Sequence, residues 1–132
     1  MNYLLDTDTY VYYLNENENI RQKFLELEPT QIFISIPTIS ELYFGAYNSQ
    51  RIESNIQKIK KLLKSIEIAS SSLKVAEHFG KIKANLKKEG AIISDFDILI
   101  ASYAMANDLT LVTNNEEHFN RIQNLKVENW LE

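Results

Sequence analysis

LLDTDTYVYYL, residues 4–14, sets two carboxylates, Asp6 and Asp8, at the end of an apolar run. Such a run followed at once by acids and a hydroxyl marks the turn from a buried strand into a helix. Capping that helix needs one side chain. Two acids point further, to a metal site or to a nucleophile with a general acid beside it.

Outward from this stretch the chain alternates in type. Residues 2–5 read as a short buried strand and the helix after it runs to about Leu14. IRQKFLEL (20–27) is helical, and Pro29 forbids its smooth continuation. IFISI (32–36), β-branched and apolar, is a strand; TISELYFGAY (38–47) is a helix opened by Pro37 and Thr38. Ile52, Ile56, Ile59, Leu62 and Leu63 recur at helical spacing through 51–65, and IEIA (66–69) is a short strand. SLKVAEHFGKIKANLKKEG is a long amphipathic helix that Gly90 closes. DFDILIASYAMAND (95–108) is a mostly apolar, hence buried, helix; TLVT (110–113) and VENW (127–130) are strands. This order predicts an α/β fold with a mainly parallel sheet covered on both faces. Ligands of such sheets lie outside the carboxyl ends of the strands.

Composition bounds the rest. The 132 residues suit one domain spanning 1–132, with no repeat, low-complexity tract or linker. No apolar run approaches the ~18 residues of a membrane span. The start lacks a basic leader and the chain has no cysteine, so a reducing cytoplasm is the expected setting. Net charge is −4, but residues 51–90 carry ten Lys/Arg against four Asp/Glu, leaving a balance of −10 elsewhere. A basic middle beside an acidic remainder suits a polyanion-binding surface next to a cation-binding centre. Lys58, Lys60, Lys61 and Lys64 are equally explained as a solvated helix face.

Each acid alone is explained as a cap. Asp6 can hold the first turn of its helix, Thr38-x-x-Glu41 fits a capping box, and Ser94-x-x-Asp97 fits the same pattern. Together the acids are harder to dismiss: four segments bring Asp6, Glu41, Asp97 and Asn115 toward one sheet edge, with no basic residue in any of these motifs. Clustered carboxylates repel unless a cation neutralises them. Oxygen ligands without His or Cys suit Mg2+ or Mn2+ rather than zinc. A divalent ion there lowers the pKa of water and stabilises charge on phosphate oxygens, so the pattern supports phosphodiester hydrolysis. His78, mid-helix, and His118, before Phe119, read as surface or packing residues.

LLDTDTYVYYL, SIPTISELYFGA (35–46), AIISDFDILIASYAMANDLTLVTNNEEHF (91–119) and LKVENW (125–130) resemble the PIN-domain ribonucleases, above all the VapC-type toxins of toxin–antitoxin pairs. The motifs are short, but their order and spacing cover nearly the whole chain. The resemblance implies a three-layer α/β/α sandwich, usually a homodimer. It implies Asp6, Glu41, Asp97 and Asn115 as the catalytic set, with Asp6, Asp97 and Glu41 on the metal. Ser35, Thr38, Leu42 and Gly45 match the pattern around Glu41. Asp95 and Asp8 are further possible ligands; Thr113 and Thr7 support. Two departures stand out: Asp8 replaces an Asn usual in relatives, and Asn115 replaces an Asp. A small antitoxin is the implied partner and structured RNA, often tRNA, the implied substrate, with Lys58, Lys60, Lys61, Lys81 and Lys83 as candidate RNA contacts.

Two other readings stay open. LLDTDTYV also matches the D-x-D-x-T motif of haloacid-dehalogenase-like phosphatases, with Asp6 attacking phosphorus and Asp8 as acid; the late acidic pair of that family should follow its last strands, whereas DFD precedes TLVT. A non-catalytic PIN-like module that binds RNA, its acids acting only as caps, is the other.

Overall fold

The computed structural model describes all of residues 1–132. Five strands form the sheet: β1 (Tyr3–Leu5), β2 (Ile32–Ile34), β3 (Glu67–Ile68), β4 (Thr110–Val112) and β5 (Val127–Glu128). Between them run α1 (Thr7–Leu14), α2 (Glu18–Glu26), α3 (Ile36–Tyr47), α4 (Ile52–Ser65), α5 (Leu73–Lys88), α6 (Asp95–Ala106) and the single turn α7 (Glu116–Phe119). A 3-10 turn at Pro29–Gln31 leads into β2.

The central strands are apolar at successive positions because both faces are covered. Leu4 and Leu111 point into one core, with Val75, Ile82 and Leu86 of α5 and Ile98 and Ala101 of α6. Leu5 and Val112 point into the other, with Tyr10 of α1, Ile20 of α2, Leu42 of α3 and Ile59 of α4. This is the expected three-layer α/β/α sandwich. Strands of two or three residues contribute few ladder bonds, so burial on both faces holds the sheet, at about 1.5–3 kcal/mol for each large apolar side chain.

Strand order is β3-β2-β1-β4-β5 and every pairing is parallel. The chain steps outward from β1 to β2 to β3, then returns to the opposite side of β1 for β4 and β5. Winding therefore reverses between β1 and β4, and the crevice beyond their carboxyl ends is where open α/β sheets take ligands. The Asp6 N–H donates to the Val112 carbonyl at 3.0 Å, which extends the β1–β4 ladder by one rung and pins Asp6 at that crevice.

Local starts differ from the sequence reading in one informative place. The IFISI strand ends at Ile34, and α3 opens at Ser35 rather than Thr38. The buried Ser35 Oγ accepts from the Thr38 N–H at 3.3 Å, and Pro37 occupies the second helical position, where no N–H is required. The Thr38–Glu41 capping box is thus not formed. At Ser94 only half a box exists: its Oγ accepts from the Asp97 N–H at 3.2 Å, with no return bond from the Asp97 carboxylate. Gly90 closes α5 with φ 71°, where its N–H reaches the Lys87 carbonyl and the Ala91 N–H reaches Leu86, a paired closure that a left-handed residue permits.

Candidate active site

Asp6 sits at the N-terminus of α1, where its Oδ1 accepts from the Thr9 N–H at 2.9 Å and the Thr9 hydroxyl at 2.7 Å. It is a cap, as the sequence allows, but the cap occupies only one carboxylate oxygen. Burial pushes its pKa above the usual range, opposed by hydrogen bonds from the Thr113 hydroxyl and from Thr9, and raised further by the Asp8 charge. Thr113 is itself fully buried; its Oγ1 accepts from the Asn115 N–H at 3.0 Å, which leaves the hydroxyl proton for Asp6.

Three more acids join Asp6 around one cavity of about 210 Å3: Asp8, Glu41 and Asp97, with Thr7, Phe96 and Ile100 completing its lining. The acids arrive from α1, α3 and α6, and no Lys or Arg faces them. The Thr7 hydroxyl donates to Thr38 Oγ1 at 3.2 Å, tying α1 to α3 beneath Glu41. Glu41, freed from capping, is exposed and takes part in no hydrogen bond or ion pair of the fold.

The other predicted positions lie apart. Asp95 turns outward and pairs with Lys83 at 2.9 Å, away from the cavity lining. Asn115 is exposed at the start of α7 and reaches the site through its backbone, by way of Thr113. His118, expected to be a surface or packing residue, stands beside the acids instead, with Nδ1 3.3 Å from Asp97 Oδ2. Its one sequence signal is position, because a single turn begun at Asn115 brings residue 118 back over the end of β4.

Hard oxygen donors and uncompensated negative charge suit a divalent cation. No three acidic or histidine side chains converge into a closed ligand set. A divalent ion held by these side chains would therefore keep several waters in its shell.

The PIN domain family model matches residues 3–125. The chain belongs to the PIN-domain family. Within this PIN-domain group it is 39% identical to ribonuclease VapC2 of Rickettsia felis, over 98% of each chain. It is 32% identical to the tRNA(fMet)-specific endonuclease VapC of Salmonella typhimurium, again over 98% of each. Solved structures agree: VapBC2 from Rickettsia felis bound to a promoter DNA fragment superposes with a TM-score of 0.90 at 39% identity, covering 98% of this chain and 99% of that one. DNA-bound VapBC from Salmonella typhimurium gives 0.92 at 31%, covering 98% of each. The PIN-domain assignment removes the phosphatase alternative, whose acidic pair would have to follow β4 rather than open α6.

Proposed function

We propose that this chain, acting as one domain over residues 1–132, is a metal-dependent endoribonuclease and the toxin of a toxin–antitoxin pair. The observation that carries this is the meeting of Asp6, Asp8, Glu41 and Asp97 around one cavity that no basic side chain neutralises. The names of its relatives, ribonuclease and tRNA-specific endonuclease, support RNA as substrate, and tRNA first among RNAs.

Asp6 and Asp97 would hold the cation, Mg2+ or Mn2+, with Asp8 or Glu41 able to add a further oxygen. When bound, the ion supplies charge stabilisation on the phosphate and a lowered pKa for water. Glu41 carries the part that needs freedom: exposed and uncommitted, it accepts the proton of the attacking water. The Thr113 hydroxyl, held by the Asn115 N–H behind it, orients Asp6 and partly offsets the burial of its charge. Asp95 contributes charge at the helix start and pairs with Lys83 rather than facing the substrate.

The RNA strand has a marked path. Glu41 also lines a second cavity of about 240 Å3, which shares Leu14, Asn15 and Lys58 with a third of about 590 Å3. Arg21 and Lys61 face that third cavity, and Arg21 lies over the Tyr13 ring at 4.9 Å. The lysine–carboxylate ion pair of the chain is Lys83–Asp95, so Lys58, Lys61 and Arg21 are unpaired and free for phosphates. Of the candidate contacts, Lys58 and Lys61 line this cleft. Lys60 leaves the other side of α4, two residues and about 200° around from Lys58. Lys81 faces a separate cavity beside His78 and Met105.

A small antitoxin would hold the toxin silent, as the VapBC pairing of its relatives supports, with the toxin acting as a homodimer in the cytoplasm. No helix is long and apolar enough to cross a membrane. Induction of the wild type, Asp6→Ala and Asp97→Asn at matched levels tests the reading. Growth arrest with discrete RNA fragments in the wild type alone is the expected result. Equal behaviour of all three would overturn it.

A further inference from the structure

His118 has a role that its sequence context hides. It belongs to α7, a single turn whose orientation is set from both ends. Phe119 is buried in the core, and the Asn115 carbonyl accepts from the His118 N–H at 3.1 Å and the Phe119 N–H at 3.3 Å. The imidazole packs edge-on to the Phe119 ring with centroids 5.7 Å apart. Its position is therefore determined by the core rather than by solvent. Nδ1 is screened from water and has no hydrogen-bond partner in the fold, and Asp97 Oδ2 lies 3.3 Å from it.

Asp97 is short of support on its own helix. Its N–H is taken by Ser94 Oγ, but its carboxylate makes no return bond to Ser94, so nothing in α6 fixes its side-chain torsions. The Asp97 carboxylate accepts no hydrogen bond from another side chain in the fold, and His118 Nδ1 stands 3.3 Å from it. At 3.3 Å the two atoms are within hydrogen-bond reach but not aligned, so a small turn of the imidazole or the carboxylate, rather than a closer approach, completes the bond. A buried imidazole nitrogen without a partner is costly, and an acid without an orienting donor is loose; each supplies what the other lacks.

We propose that His118 is a positioning residue: with a proton on Nδ1, it donates to Asp97 Oδ2 and turns the other carboxylate oxygen into the acidic cavity. The cation arm of this idea rests on the proposed function; the hydrogen bond does not. With Thr113 holding Asp6, the segment after β4 then orients both principal acids from behind while contributing no ligand itself. Outer partners of this kind are commonly worth 10–100-fold in metal affinity or activity.

Three variants separate hydrogen bonding from packing. His118→Asn puts an amide N–H near the place of Nδ1, His118→Gln places it near Nε2, and His118→Leu keeps bulk without a donor. Mn2+ binding is followed by calorimetry, RNA cleavage in parallel, and melting temperature as the control for folding. The expected result is a roughly 10–100-fold loss in Mn2+ affinity for Leu and Gln, with most of it restored in Asn. Equal affinities for Leu and Asn, or wild-type affinity in Leu, would overturn the proposal. A second readout needs no metal: long-range 1H–15N spectra of the metal-free wild type should show His118 protonated on Nδ1, with a shift that moves in Asp97→Ala. An Nε2-protonated ring indifferent to Asp97 would overturn it. Should the wild type bind no Mn2+ and cut no RNA, the nuclease reading fails, while these spectra still decide the His118–Asp97 bond.

Discussion

Asp6 shows how one residue serves fold and chemistry at some cost to the fold. As a cap it satisfies the start of α1, but burial and the neighbouring Asp8 raise its pKa, so its ionised form is less welcome in the folded chain than in the unfolded one. The folded state binds the proton more readily, so the penalty is present above the raised folded pKa and fades as pH falls toward the unfolded value of 3.8. Asp6→Asn keeps the bond from Thr9, since Asn caps well, and removes the charge. The variant should melt higher than wild type at pH 7 without divalent ions, the gap closing as pH drops toward 4, and it should be inactive. A lower melting temperature at neutral pH would contradict this. Asp6 and Asp97 were legible in the sequence because each sits where an apolar element begins or ends, and such ends have fixed places in a parallel sheet. The His118–Asp97 contact was not, because it joins residues from two elements through a packing angle that no periodicity encodes.

At the scale of elements, the strands and long helices were legible from burial on two faces and from the 3.6-residue period. The start of α3 was not. Ser35 lies inside an apolar, β-branched run, where a single hydroxyl does not interrupt a strand pattern. Only the fold shows it buried and bonded to the Thr38 N–H. This moves the cap three residues upstream and releases Glu41 from structural duty. Ser35→Ala should therefore destabilise the protein by about 1–2 kcal/mol, whereas Glu41→Gln should leave the melting temperature unchanged or higher and remove turnover. Comparable losses of stability in both variants, by chemical denaturation, would restore the Thr38–Glu41 box. α7 escaped the sequence reading for a simpler reason: four residues span little more than one turn, too short to show a period.

For the whole molecule, the reversal of strand order between β1 and β4 creates the crevice, and the uneven charge of the sequence acquires a shape. The acids collect at the switch point, while Lys58, Lys61 and Arg21 mark a cleft leading away from it. Sequence showed that α4 was basic, but its packing through Ile56, Ile59 and Leu62 decided which lysines flank the cleft. In an Asp97→Asn background, expected to bind RNA without cutting it, Lys58→Ala with Lys61→Ala should weaken binding and flatten the dependence of log affinity on log salt by about 0.7–0.9 per lost contact. An unchanged slope would remove both lysines from the RNA path. The most direct test of the central claim uses purified protein, tRNA and a choice of Mg2+, Mn2+ or chelator, with wild type and folded Asp97→Asn side by side. Cleavage at discrete positions by wild type with a divalent ion, abolished by chelator and at least about 100-fold slower in Asp97→Asn, is the predicted result. Cleavage at equal rates by both proteins, or by neither in either metal, would contradict it.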